Sequence, residues 1–512
     1  MKDAASAAKG RAPRLGLTEF IRKVREDQLL IVTPELFGEE LVYSRILFLH
    51  SFLINKPEYI EHVLLANHAN YRKSHFSRNL LGPLLGNGLL TSEGELWRRQ
   101  RRIAAPAFHA RRTAEFVATM GSCSEAMLTR WAARSGSFDV AAEMTALTLD
   151  IIARTMFSTE VAGDIDAIRQ LTDVVVKLRP SLLDLFGFPQ WIPRLQPRPY
   201  RAAVAAFEAL VARFLAERRG GSVERGDLFS MLLAARDAET GQGMSERQLR
   251  DEILTIFLAG HETTANALSW TWYLLAQNPQ AEARLHEELD RVLGGRTPRF
   301  TDLAELKWTR MVIEEAMRLY PPAHTIARAA IDEDRIGGVR VPPGASISIS
   351  MYVTHRNPNL WPDPERFDPE RFAPAAVAGR HRFAYLPFGG GPRICIGNGF
   401  AMAEAQVILA TVAQRFRLRL ARNHAVEPIG LITLRPKHGL WVTLEPRRPG
   451  GTLKAEPRRG ELGVGSREER SAPLPYSLLP TPYSPLGAGL PSVRYFARLP
   501  ATNPVERPPP SE

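Results

Sequence analysis

The run Phe388-Gly389-Gly390-Gly391-Pro392-Arg393-Ile394-Cys395-Ile396-Gly397 carries the sharpest chemistry in the chain. A glycine-rich turn presents one cysteine just ahead of a predicted helix. A helix N-terminus offers unpaired N–H groups and partial positive charge, which favour a thiolate. Glycines such as Gly391 and Gly397 let backbone come close to a flat or bulky group. Phe388 is placed to shield the sulfur, and Arg393 to meet an anionic cofactor edge. A phosphate loop would need Lys-Ser or Lys-Thr after its last glycine, whereas Asn398 and Gly399 follow Gly397. A dinucleotide fingerprint fits the glycine spacing poorly. For an isolated match the default is a buried structural cysteine on a glycine turn.

Three more patterns matter. Ala259-Gly260-His261-Glu262-Thr263 forms a polar island in a long apolar stretch. Apolar surroundings supply no protons, so Glu262 is a candidate relay and Thr263 a candidate hydrogen-bond donor. The competing reading is a mid-helix kink, because threonine bonds back to a carbonyl one turn earlier. Glu315-Ala316-Met317-Arg318 sets opposite charges three apart on one helical face. In Trp97-Arg98-Arg99-Gln100-Arg101-Arg102, Trp97 and Arg101 share a face. An indole N–H and a guanidinium suit carboxylate partners.

Taken in order, these motifs resemble those of the cytochrome P450 family, over residues 30–446. The cysteine segment is similar to that family's haem-binding loop, and the whole pattern matches, which argues against a merely structural cysteine. The resemblance implies that Cys395 is the thiolate ligand of the iron in haem b, a ligand that favours O–O cleavage. It implies that Phe388, Gly391, Arg393 and Gly397 surround the cofactor. Glu262 and Thr263 would deliver protons, beside a Gly260 that leaves room for a diatomic ligand; the family often has Asp where Glu262 stands. Trp97, Arg101 and Arg328 would meet the haem propionates. Arg371, within Phe367-Asp368-Pro369-Glu370-Arg371-Phe372, would complete a structural triad with Glu315 and Arg318 and lock the nearby meander. The remaining arginines (Arg98, Arg99, Arg102, Arg111 and Arg112) are either a solvated face or a docking patch for an acidic electron-transfer protein.

The implied activity is a monooxygenase that activates O2 and hydroxylates or epoxidises a lipophilic small molecule. Electrons from NAD(P)H would arrive through a ferredoxin or flavodoxin and its reductase. A peroxygenase or isomerase on the same fold is one alternative, and the intact Glu262-Thr263 argues against it. A non-catalytic haem binder is another. The expected pocket wall is apolar: Leu80, Leu81, Leu84, Leu85, Phe186, Phe188, Ala259, Ala323 and Ile326. His324 is read as a hydrogen-bonded histidine rather than a substrate contact.

The elements that must position these groups are mostly helical. Residues 245–277 read as one long helix, opened by a Ser245/Gln248 capping box and closed by Asn278-Pro279. A helix over 302–320 stops at Pro321-Pro322. Residues 337–354 read as short strands joined by Pro342-Pro343-Gly344. Residues 356–387 read as a meander, 397–416 as an amphipathic helix, and 431–444 as a hairpin. The expected fold is therefore mainly α with small β-sheets (α+β), and the resemblance implies a single cytochrome P450-like domain.

The chain has 512 residues, 45% hydrophobic and 24% charged, which suits a folded protein. Two cysteines exclude a disulfide scaffold and a four-cysteine metal site. A formal charge of +11 favours anionic partners without making a case for nucleic acid. No signal peptide or membrane-spanning stretch is evident, so the expected location is the cytoplasm. Of 39 prolines, 13 fall in residues 449–512. The expected division is a lead segment over 1–29, a haem-thiolate domain over 30–448, and a disordered tail over 449–512.

Overall fold

The computed structural model describes residues 16–46, 48–157, 179–188, 197–220 and 226–447, with positions 171, 174, 192, 497 and 498. The expected disorder of the tail thus lies outside the described residues. Of that tail only Ala497–Arg498 is described, as a short strand on the outer edge of Leu41–Ile46. Among the described residues no helix is long and apolar enough to cross a membrane.

The helix Glu246–Gln277 is the axis of the molecule. It forms where the capping box places it: Ser245 Oγ accepts the Gln248 N–H at 3.3 Å, and Gln248 Oε1 accepts the Ser245 N–H at 3.0 Å. Its 32 residues extend about 48 Å. Residues 251–257 and 264–272 are buried without a break. Neighbours therefore cover it on all sides: Val140–Phe157, Lys307–Leu319 and Asn398–Ala413. Trp270 stacks on Tyr320 at 4.0 Å and donates its indole N–H to the Leu434 carbonyl at 3.2 Å, which ties the helix to the C-terminal strands.

A six-stranded sheet runs in the order 497–498, 41–46, 49–54, 346–350, 325–330 and 71–73. Its last pair sets Lys73 directly opposite Arg328. The lead segment contributes a helix, Leu17–Glu26, and Asp27 just after it accepts the Gly430 N–H at 2.8 Å.

Four expected elements differ in detail. The helix over 302–320 is split into a 3-10 turn, Phe300–Ala304, and a helix, Lys307–Leu319. The cause is Glu288 on the preceding helix, which accepts the N–H groups of Trp308 and Thr309 at 2.7 and 2.8 Å and so caps the start from outside. In the segment 337–354, Val353 belongs to a helical turn, Met351–Thr354, because Ser350 Oγ accepts its N–H at 3.3 Å. The helix Asn398–Ala413 is not amphipathic, since residues 403–413 are all buried. Residues 431–444 do not form one hairpin; the only pairing described within them is an isolated bridge between Lys437 and Gly439. Leu434–Pro436 pairs with Pro428–Gly430, and Trp441–Pro446 with Phe416–Leu420 and Phe138–Asp139.

The expected triad is present. Glu315 and Arg318 have fully buried side chains and bond twice, at 2.6 and 2.8 Å, while Arg371 Nε stands 3.5 Å from Glu315 Oε1. Arg318 then donates to the carbonyls of His355, Pro364 and Arg366, and Glu315 accepts the Asp368 N–H. Removing one partner strands a buried charge. Glu315→Ala is expected to cost about 3–5 kcal/mol, read as a lower melting temperature; an unchanged one would reduce the triad to decoration.

Glu404 is a second buried acid, 1% exposed, on Asn398–Ala413. Neither of its carboxyl oxygens has a hydrogen-bond partner. Burial pushes this carboxyl up to about 8. Its folded value lies above the ordinary 4.5, so between these two the folded state holds a proton that the unfolded chain releases. Stability therefore falls as pH rises through that window. Glu404→Gln should melt above the wild type at pH 8 and level with it at pH 5; parallel melting curves at both would contradict this.

Candidate active site

The burial of the central helix is interrupted at its middle. Leu258, Ala259, Gly260, Glu262 and Thr263 keep accessible surface although residues on both sides are buried. They face a cavity of about 450 Å³, whose opposite wall is the cysteine segment. Of the ten predicted site residues, nine line this space: Glu262, Thr263, Trp97, Arg101, Arg328, Phe388, Arg393, Cys395 and Gly397.

Gly391 is the exception. A Cβ there would stand 1.8 Å from the Leu64 carbonyl oxygen, and the backbone is already left-handed at φ +67°. This glycine lets the loop pack on residues 62–66 rather than on a ligand. Gly260 lines the cavity and also packs closely against a neighbour. A Cβ there would lie 3.2 Å from Ile152 Cδ1, so its missing side chain admits the neighbouring helix Val140–Phe157.

The cysteine is held by backbone. Its N–H donates to the Phe388 carbonyl at 2.9 Å, and the helix that follows begins at Asn398. Cys395 retains accessible surface, and it opens into the cavity. Burial pushes its thiol up, while the Gly397 N–H and the Arg101 charge pull it down. A bound metal ion deprotonates a coordinating thiol outright.

One edge of the cavity is cationic. Lys73, Arg101, Arg328 and Arg393 all reach it. Arg393 ion-pairs with Glu93, donates to the Ser92 carbonyl at 2.9 Å, and lies over the Trp97 ring at 4.2 Å. Arg101 donates to the Ile394 carbonyl at 2.7 Å. Among the described residues no carboxylate lies within ion-pair distance of Lys73 or Arg328. Burial first, then repulsion from Arg328 and Arg393, pushes the Lys73 ammonium down to about 7. Burial and Arg393 push the Arg328 guanidinium down to about 10. Glu93 opposes both shifts, but one carboxylate against four cations leaves net positive charge, which favours an anionic ligand.

These features fit haem b. The slot between Ala259–Thr263 and Phe388–Cys395 presents a thiol to one face of a flat group. A Cβ on Gly389 would meet nothing within 4 Å, and one on Gly397 only the Phe108 ring, 3.8 Å away. Two propionates would supply Lys73 and Arg328 with the direct ion pairs that Glu93, bonded to Arg393, does not make. Lys73 escaped the sequence reading because its role depends on pairing with a strand 255 residues away. Thr433 escaped it too: its hydroxyl donates to Glu262 Oε1 at 2.6 Å from a loop without a motif.

Burial pushes the Glu262 carboxyl up, with Thr433 and Arg435 opposing. The Thr263 hydroxyl donates to the Ala259 carbonyl at 2.8 Å, as the kink reading expects, while the side chain lines the cavity. Of the expected wall, Leu81, Leu84, Leu85, Ala259, Ala323 and Ile326 line it; Leu80, Phe186 and Phe188 do not. His324 is buried and bonds the Leu431 carbonyl at 2.9 Å. The basic run is largely neutralised: Arg98 by Glu95, Arg99 and Arg102 by Asp237, and Arg112 by Glu115.

Comparison with known proteins agrees with this geometry. The family described as Cytochrome P450 matches residues 35–441. Cyclooctatin synthase of Streptomyces melanosporofaciens is 41% identical over 395 residues, 77% of this chain and 84% of that protein. Cyclooctat-9-en-7-ol 5-monooxygenase of the same organism is 37% identical, over 80% of this chain and 89% of that protein. Pentalenene oxygenase of Streptomyces avermitilis is 33% identical, over 80% and 91%. The crystal structure of the cytochrome P450DA heme domain superposes with a TM-score of 0.72 at 28% identity, over 80% of this chain and 90% of that one. The match runs through the cysteine loop, the central helix and the meander alike, and the chain belongs to the cytochrome P450 family of oxygenase-type oxidoreductases.

Proposed function

We propose that this protein is a monooxygenase of a polycyclic terpenoid, acting at haem b ligated by Cys395. The observation that carries the reading is the placement of the Cys395 thiol and the Glu262-Thr263 pair on opposite walls of one largely apolar cavity. Two of the named relatives support the substrate class, since their names, cyclooctat-9-en-7-ol 5-monooxygenase and pentalenene oxygenase, are those of terpene oxygenases.

Haem b, when bound, supplies the iron at which dioxygen is bound and reduced. The protein's residues do the rest. Cys395 would hold the iron by its Sγ. Trp97, Arg101, Arg328 and Lys73 would orient the cofactor through its carboxylates, with Arg393 beside them on Glu93. Phe388 covers the sulfur. Leu81, Leu84, Ala323 and Ile326 exclude water and receive the substrate's hydrocarbon frame. Glu262, kept protonated more readily than an exposed carboxyl, takes protons from solvent through Thr433 and passes them toward the Thr263 hydroxyl. Electrons come from NAD(P)H by way of a ferredoxin or flavodoxin and its reductase.

Cys395→Ala is expected to lose the strongly red-shifted Soret band of the reduced carbon monoxide complex. Retention of that band would remove Cys395 as ligand. Thr263→Ala is expected to lower product formed per NAD(P)H oxidised by about tenfold or more, with hydrogen peroxide released instead. Tight coupling in that variant, with a polycyclic terpene as substrate, would take Thr263 out of proton delivery.

A further inference from the structure

Residues 86–91 make up most of the connection, 86–93, between the helix His75–Leu85 and the helix Gly94–Ala104, and Leu89, Leu90 and Thr91 form part of the cavity wall. This strap is held by its backbone. Asp251 and Glu252 are adjacent on the central helix and 2% and 0% exposed. Asp251 Oδ2 accepts the Asn87 N–H at 2.8 Å, and Glu252 Oε2 accepts the Leu89 N–H at 2.9 Å. From the other side Gln100 Nε2 donates to the Asn87 carbonyl at 2.6 Å.

Two glycines make the approach possible. A Cβ on Gly86 would stand 2.3 Å from Asp251 Oδ2, and one on Gly88 2.1 Å from Thr255 Oγ1 and 2.6 Å from the Asp251 carbonyl oxygen. Asp251 has a counter-charge, Arg250 at 2.7 Å, which also pairs with Glu208 on the helix Arg198–Gly220. Glu252 has none among the described residues, and its Oε1 is buried without a hydrogen-bond partner. A buried acid without a cation is costly, and a like charge next to it adds to the cost. An apolar side chain would cover the helix more cheaply. What the carboxyl does that an apolar group would not is hold one amide of the strap at a fixed point.

We propose that Asp251 and Glu252 are a clamp that fixes the strap 86–91, and that the clamp selects which ligands fit above the cysteine. They are positioning residues and touch no reacting atom. The selectivity half rests on the cavity being the haem and substrate site argued above.

The test uses the haem-loaded full chain with Glu252→Ala, Glu252→Gln and Gly88→Ala. Hydrogen exchange at the Leu89 amide should quicken about tenfold or more in Glu252→Ala. It should quicken less in Glu252→Gln, whose amide oxygen still accepts. Absorption titrations with two haem ligands read selectivity. Imidazole, the smaller ligand, should keep its Kd within about twofold. The bulkier 4-phenylimidazole should weaken about fivefold or more in Glu252→Ala and in Gly88→Ala, which displaces the strap while keeping both carboxyls. Equal changes for the two azoles, or none, would overturn the selectivity role. Unchanged exchange at Leu89 in Glu252→Ala would overturn the clamp and leave the proposed function standing. Failure of the wild type to bind either azole would sink the proposed function, and the selectivity half with it.

Discussion

The Glu315–Arg318 pair never touches the cysteine, yet the position of the cysteine depends on it. Arg318 grips the His355 carbonyl at 2.8 Å, and His355 Nε2 accepts the Leu386 N–H at 3.0 Å. Burial and the Arg318 charge push the His355 imidazole down to about 3, so its ring stays a neutral acceptor. The Leu386 carbonyl accepts the Gly389 N–H at 2.9 Å, and the Phe388 carbonyl accepts that of Cys395. A continuous series of bonds thus runs from the ion pair to the sulfur-bearing residue. Buried charge is a poor source of net stability, but it has few acceptable arrangements. Here that intolerance serves geometry, because the meander can sit in only one place.

How much of this was legible in the sequence depended on distance along the chain. The central helix announced itself because Ser245 and Gln248 cap each other, and the cysteine loop because its chemistry is packed into ten residues. The triad was legible through a motif, although its bonds cross to residue 371. What escaped was fixed by distant partners. Glu288 decides where the helix at Lys307 starts. Leu64 decides why residue 391 is glycine. Lys73 gains meaning only opposite Arg328, and Thr433 only beside Glu262. The supposed hairpin at 431–444 failed for the same reason, since each of its strands found a partner elsewhere.

The cavity joins two unlike environments. Its roof and walls are aliphatic and suit a hydrocarbon. Its cationic edge is a stored electrostatic debt that an anionic ligand relieves. A cofactor with a flat apolar body and two carboxylates at one end matches both at once, and it can enter in only one orientation without placing a carboxylate among leucines.

The glycines of the cysteine loop belong to two populations. At 390 and 391 a side chain would collide with Phe383 or Leu64, so protein neighbours forbid it before any ligand arrives. At 397 the backbone is ordinary, φ −90°, and the nearest atom to a Cβ is the Phe108 ring at 3.8 Å. Only an occupant of the slot stands in the way there. A motif that looks like one unit therefore records two selective pressures, one from folding and one from cofactor, and tolerance to alanine in the empty and loaded protein is what separates them.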